Sequence, residues 1–185
     1  LVTYHGPTFK SLTSWETGYA YKQFIKTFVE NTESLIMGEP EEKYTTIQAG
    51  QATGELVGGN LSLFTKLVCG KYAVNVQNKI LFLEELGFEA APEMVNSNIY
   101  YLKQNGVFDK IAGLWIGNYE HPSKISLEKI ITNAIGDEYK FPIIKSNNFG
   151  HIDKKIIIPI GTKAEINTNE KIKIKLVEKC VDEGK

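Results

Sequence analysis

A strand–helix–strand run across residues 80–116 constrains the fold more than any other stretch of this chain. Residues 80–83 (Ile-Leu-Phe-Leu) are apolar at every position and too few for a helix. They read as a short strand buried on both faces. Pro92 suits the first turn of a helix, which is predicted to run to Gln104 and to close at Asn105-Gly106. Residues 111–116 form the next apolar run. A helix crossing between two strands is a βαβ-like unit, so part of the sheet is parallel.

The flanking sequence adds strands and helices to that unit. Residues 1–4 read as a strand stopped by Gly6-Pro7. Ser14 is expected to cap a helix from Trp15, with Tyr21, Phe24, Ile25 and Phe28 in one apolar stripe. Residues 44–49 look extended. Residues 50–54 read as a glycine-bearing connection, and 55–57 as a short extended run ending at Gly58-Gly59-Asn60. Residues 61–68 have helical periodicity, and 125–134 form a helix capped by Ser123 or Ser126. Residues 141–144 and 156–158 are strands, the second interrupted by Pro159-Ile160-Gly161. Residues 164–166 and 171–177 pair as a hairpin, with lysines at 171, 173 and 175 alternating with apolar residues. The expected architecture is α/β: a single mixed-sheet domain with βαβ-like units and an antiparallel C-terminal hairpin.

Composition narrows the partners. The 185 residues carry 21 basic and 22 acidic side chains, a net charge of -1. Such a balance offers no general attraction for nucleic acid or an anionic membrane. No apolar run approaches a membrane span. His5, His121 and His151 are widely spaced, and no metal-ligand cluster is expected. Cys69 and Cys180 sit in apolar contexts and are expected to be two buried free thiols, which fits a reducing cytoplasm. The chain opens at Leu1 inside a strand-like run, from which a C-terminal piece of a longer polypeptide is expected.

Three places can carry chemistry. Gly58-Gly59-Asn60-Leu61-Ser62 is a structural turn or a ligand contact at a helix start, with Asn60 or Ser62 as cap. It has neither the lysine of a phosphate-binding loop nor the spaced glycines of a dinucleotide fingerprint. Glu84 and Glu85 end the apolar strand, either as solvated residues or with one of them orienting an imidazole. His151 follows the turn-like Ser146-Asn147-Asn148-Phe149-Gly150 and is either a surface residue or an accessible base. Trp15, Tyr19 and Tyr21 read as core more readily than as a pocket. Tyr100, Tyr101 and Trp115 also read as packing residues, and Asn118-Tyr119-Glu120-His121 can edge a site.

At these residues the chain resembles the C-terminal domain of the LD-carboxypeptidase family of serine peptidases, which includes the microcin C self-immunity peptidases. Gly54-Glu55-Leu56-Val57-Gly58-Gly59-Asn60-Leu61-Ser62-Leu63 is similar to the family's glycine-rich signature. Lys79-Ile80-Leu81-Phe82-Leu83-Glu84-Glu85 resembles the strand that ends in the catalytic glutamate. Gly106-Val107-Phe108-Asp109-Lys110-Ile111-Ala112-Gly113-Leu114, Phe149-Gly150-His151 and Ile158-Pro159-Ile160-Gly161-Thr162-Lys163-Ala164 match further stretches in order. The acidic pair is Glu-Glu where Glu-Asp is usual, which leaves Glu84 against Glu85 open. Cys69-Gly70-Lys71-Tyr72 replaces a commoner Gly-Thr-Pro-Tyr.

The resemblance implies a swivelling β/β/α-like domain over 1–185 that supplies the Glu84 and His151 of a Ser–Glu–His triad. An N-terminal domain, expected to be absent from this chain, would supply the serine. By the same resemblance Gly58, Gly59 and Asn60 face substrate, no metal or organic cofactor is needed, and homodimers are expected. The substrate is expected to be a small peptide with a free carboxylate near the scissile amide, as at the L,D bond of murein tetrapeptides, with the chain inactive alone. A peptide–nucleotide amide hydrolase of microcin C type and a stand-alone peptide-binding or assembly module are the alternatives. If the site forms between domains, an exposed apolar patch is expected near Gly58, Ser62, Glu84 and His151.

Overall fold

The computed structural model describes residues 1–8, 18–32, 35–39, 41–119, 121–122 and 125–181. Ser14, Trp15, Glu120 and Ser123 lie outside them. Nine strands are present among the described residues: β1 Thr3–His5, β2 Tyr44–Gln48, β3 Gln51–Asn60, β4 Ile80–Glu85, β5 Gly113–Tyr119, β6 Ile143–Ser146, β7 Ile158–Ile160, β8 Lys163–Asn167 and β9 Ile174–Leu176. The α-helices are α1 Tyr19–Phe24, α2 Leu61–Val68, α3 Pro92–Gln104 and α4 Leu127–Ile135. α1 runs on into a π-helical segment, Ile25–Glu30.

The expected mixed sheet is present. Seven strands lie in the order β2-β6-β5-β4-β3-β8-β9, and β1 pairs with β7 in a separate two-stranded sheet. The four central strands β3, β4, β5 and β6 are parallel. The sheet is antiparallel at both edges, through β2 on one side and the β8–β9 hairpin on the other. The strand–helix–strand reading of residues 80–116 thus corresponds to β4–α3–β5, with α3 bounded as predicted.

Two cores lie on opposite faces of the sheet. On one face α2, α3 and α4 pack Leu61, Phe64, Val95, Ile99, Leu102, Ile131 and Ile135 against Leu81, Leu83, Leu114 and Ile116. On the other, Ile80, Phe82, Trp115 and Ile144 pack against Phe149, Ile156 and Ile158. The alternation of Ile80 and Phe82 with Leu81 and Leu83 is the period of two of a strand covered on both sides. Every residue of β4 is buried.

Several expectations are corrected. β3 is one continuous strand where the sequence reads as a connection and a short extended run. Its glycines mark close approach, not breaks. A Cβ on Gly54 would stand 2.4 Å from the Asn78 carbonyl oxygen, and one on Gly58 would stand 1.9 Å from that of Phe82. Pro159 lies inside β7, opposite Tyr4, in a two-stranded pairing that tolerates its missing N–H. Cys69 is exposed, because it caps the solvent end of α2; only Cys180 is buried. Tyr100 and Tyr101 lie on the outer side of α3 and are exposed, unlike the buried Trp115. Tyr21 is exposed too, and Tyr19 is partly buried, with its hydroxyl donating to Glu42 at 2.7 Å.

Candidate functional site

The carboxyl ends of β3, β4 and β5 meet at one edge of the sheet, the end where open parallel sheets hold their ligands. They bring Asn60, Glu84, Glu85 and Asn118 together. Strand periodicity then separates the two glutamates. Glu84 continues the Ile80–Phe82 side of β4, whereas Glu85 continues the Leu81–Leu83 side, toward the helices.

Glu84 meets His151. Its Oε2 lies 2.9 Å from Nδ1 of the ring. The glutamate side chain is fully buried, while that of His151 is 50% exposed. With its proton on Nδ1 the imidazole donates to the carboxylate, leaving Nε2 as the acceptor nitrogen. Glu84 Oε1 is buried without a hydrogen-bond partner among the described residues. A fixed carboxylate behind a half-open imidazole is an arrangement that orients a base.

The loop bearing His151 is anchored on the Phe82 face. Phe149 is buried, with its ring 4.5 Å from Trp115 and 5.8 Å from Phe82, edge-on in both cases. Asn118 N–H donates to the Phe149 carbonyl at 3.0 Å, and Ile156 N–H to that of Asn148 at 2.8 Å. The Asn148 amide donates to Glu42 at 2.6 Å and to Met37 O at 3.1 Å, and its oxygen accepts from Ser146 Oγ at 2.6 Å. Ser146 in turn accepts from the Trp115 indole at 2.8 Å. Gly150 has φ +109, and a Cβ there would lie 3.1 Å from both Cβ and Oε2 of Glu84. The glycine therefore lets the loop pass directly over the carboxylate.

Glu85 does different work. Its carboxylate accepts from Ser62 N–H at 2.9 Å, from the Asn60 amide at 2.6 Å and from Leu86 N–H at 3.1 Å. It occupies the N-terminus of α2, where the helix dipole favours an anion. Asn60 caps that helix, accepting from Leu63 N–H at 3.2 Å and from Ser62 Oγ at 2.9 Å. Gly58 is fixed by its contact with β4, whereas a Cβ on Gly59 would meet nothing within 4 Å.

A cavity of about 240 Å³ opens beside these groups, lined by Asn60, Ser62, Leu63, Lys66, Glu85, Leu86, Glu89 and His151. Of the apolar residues around it, Leu63 is 64% exposed and Phe88, on the adjoining turn, 77%. Lys66 and Glu89 interleave with them, so the surface is mixed.

His5 escaped the sequence reading. Its ring packs edge-on to Phe82 at 5.6 Å and to Phe149 at 6.4 Å. Burial lowers its pKa; the charge of Glu84 opposes that shift, and those of His151 and Lys155 reinforce it. Only the pairing of β1 with β7 brings it here, and its isolated position in the sequence carried no signal for that. His121 does not line the cavity. Among the described residues no group of three His, Cys, Asp or Glu could hold a metal ion. No helix among them is long and apolar enough to cross a membrane.

Comparisons with known proteins agree with the fold and with the ordered motifs. The family model "LD-carboxypeptidase C-terminal domain" matches residues 53–166. A curated relative, the probable murein peptide carboxypeptidase of Bacillus subtilis strain 168, is 32% identical over 100% of this chain and 58% of its own length. An MccF-like protein from Bacillus anthracis superposes with a TM-score of 0.79 at 26% identity, over 96% of this chain and 61% of that one. An inactive mutant of the microcin C7 self-immunity protein MccF, in its apo state, gives 0.83 at 21% identity, over 98% and 62%. The chain thus spans little more than half the length of its relatives. It belongs to the LD-carboxypeptidase family, and the part of that family it represents is the C-terminal domain.

Proposed function

We propose that this domain supplies Glu84 and His151 to a Ser–Glu–His triad in a serine-type carboxypeptidase, the serine coming from an N-terminal domain of the parent protein. The observation that carries the reading is the buried Glu84 carboxylate bonded to Nδ1 of a half-exposed His151. In this scheme Glu84 fixes the ring, Nε2 takes the serine proton during attack on the amide carbonyl, and the imidazolium then protonates the leaving amine. Ser62 borders the same cavity, but its hydroxyl donates to Asn60, which argues against it as the nucleophile. Asn60 and the open side of Gly59 are the proposed substrate contacts. The proposed substrate is a small peptide with a free carboxylate next to the scissile amide, as in a murein tetrapeptide.

Release of the terminal residue from such a peptide by the parent protein tests the reading. Glu84→Gln and His151→Asn should each lower kcat by about 10³–10⁴-fold with little change in KM. Ser62→Ala should retain activity, and this chain alone should show none. Full activity in Glu84→Gln, or turnover by the chain alone, would defeat the proposal.

A second substrate class belongs in the same assay. The E. coli microcin C7 self-immunity protein MccF is 26% identical over 128 residues, 66% of this chain. A peptide–nucleotide conjugate therefore stands beside murein peptides, and the ratio of kcat/KM between the two decides. Homodimerisation of the parent protein is the accompanying proposal, read by sedimentation.

A further inference from the structure

The cavity beside His151 contains a cation that the triad does not use. Lys66 lines it together with Asn60, Leu63, Leu86 and His151. Leu63 and Lys66, three residues apart, lie on the open flank of α2, whose other side buries Leu61, Ser62, Phe64 and Thr65. Lys66 makes no ion pair within 4.0 Å among the described residues. Of the two carboxylates in the lining, Glu85 is already satisfied by Ser62 N–H, the Asn60 amide and Leu86 N–H. Glu89 is exposed on the Gly87–Ala90 turn.

We propose that this cavity is the subsite for the residue that leaves, with Lys66 as the anchor for its free carboxylate. The inference rests on the carboxypeptidase reading and adds the determinant of its specificity. A volume of about 240 Å³ falls below the roughly 300–1,000 Å³ of drug-sized pockets and suits one small amino-acid residue. In a carboxypeptidase substrate the free carboxylate and the scissile nitrogen belong to the same leaving residue, and that nitrogen must face the imidazole that protonates it. A cavity bordered by both His151 and a lysine meets both demands. Leu63 and Leu86 supply apolar wall for a small side chain. Glu89, which lines the same cavity without pairing to Lys66, is an anion that competes with a substrate carboxylate for the lysine.

Two measurements test the subsite. In the parent protein, Lys66→Met should lower kcat/KM about 10- to 100-fold, mainly through KM, for a tetrapeptide with a free terminal carboxylate. The same peptide as its terminal carboxamide should be hydrolysed poorly and be indifferent to Lys66→Met, whereas Glu89→Gln should lower KM for the free acid. Loss of equal size for acid and carboxamide would overturn the subsite while leaving the triad standing. Absence of hydrolysis of any amide would instead remove the carboxypeptidase reading. The second measurement needs no catalysis. Titration of this chain with millimolar D-alanine should shift the NMR signals of Lys66 and His151, and D-alaninamide should not. No response, or a response that persists in Lys66→Met, overturns the subsite whatever the parent protein hydrolyses.

Discussion

Replacing Gly150 by alanine places a methyl group over the buried carboxylate of Glu84, and the structure sets the size of the effect. At φ +109 the alanine backbone is strained, at a cost of about 1–3 kcal/mol. The new Cβ stands 3.1 Å from Cβ and Oε2 of Glu84 and 3.4 Å from Cβ of Asn118. Asn118 and Glu84 both sit on packed strands, so the loop moves and the His151–Glu84 bond lengthens. That bond is charge-assisted, but the ring is half exposed, so its weakening adds only about 1 kcal/mol. The total is about 2–4 kcal/mol, or roughly 1 M in the urea midpoint. Gly59→Ala is the control: its φ of +140 is also unfavourable, yet its Cβ meets nothing within 4 Å. Urea unfolding should rank Gly150→Ala below Gly59→Ala by about 1–2 kcal/mol, and only Gly150→Ala should displace the His151 ring resonances. Equal stability losses with unchanged ring resonances in both variants would refute the packing argument.

Two further outcomes follow from burial. His5 has a pKa below its ordinary value of 6.5 because burial disfavours its charged form, and the charges of His151 and Lys155 add to this while Glu84 opposes it. Its neutral form is the one folding favours, so its contribution is complete above pH 6.5 and is lost as pH falls through the lowered folded value. His5→Phe, which keeps a ring against Phe82 and Phe149, should flatten that part of the stability profile; an unchanged acid limb in urea titrations would count against it. Cys69 should react with a thiol reagent in the native chain, and Cys180, with its pKa raised by burial, only after unfolding. Simultaneous reaction of both would contradict the placement of Cys180.

Legibility varied with the range of the interaction. α3 was readable to its ends because Pro92 and the Asn105-Gly106 stop are local signals. β3 was misread because its glycines look like turn residues, and only the backbone of β4 lying against them explains their presence. Cys69 reads as buried from its apolar context and Tyr100 as a packing residue, whereas helix orientation decides burial and depends on tertiary packing. At the site, Glu84 and His151 were legible through ordered motifs, but the choice between Glu84 and Glu85 needed the sheet. His5 reaches the site through the β1–β7 pairing, and Lys66 through the flank of α2 that the helix core leaves open. Neither is marked in the sequence around it.

The sorting of the adjacent glutamates to opposite sides of β4 makes this strand sensitive to counting. Inserting or deleting one residue between Ile80 and Leu83 would exchange them, sending the second carboxylate to the imidazole and the first to the start of α2, and would turn the apolar residues between the change and the glutamates to the wrong face. A change of two residues would preserve both assignments. The strand thus fixes its length modulo two, and length variation among working versions of this domain should fall in the segments before Ile80 or after Glu85.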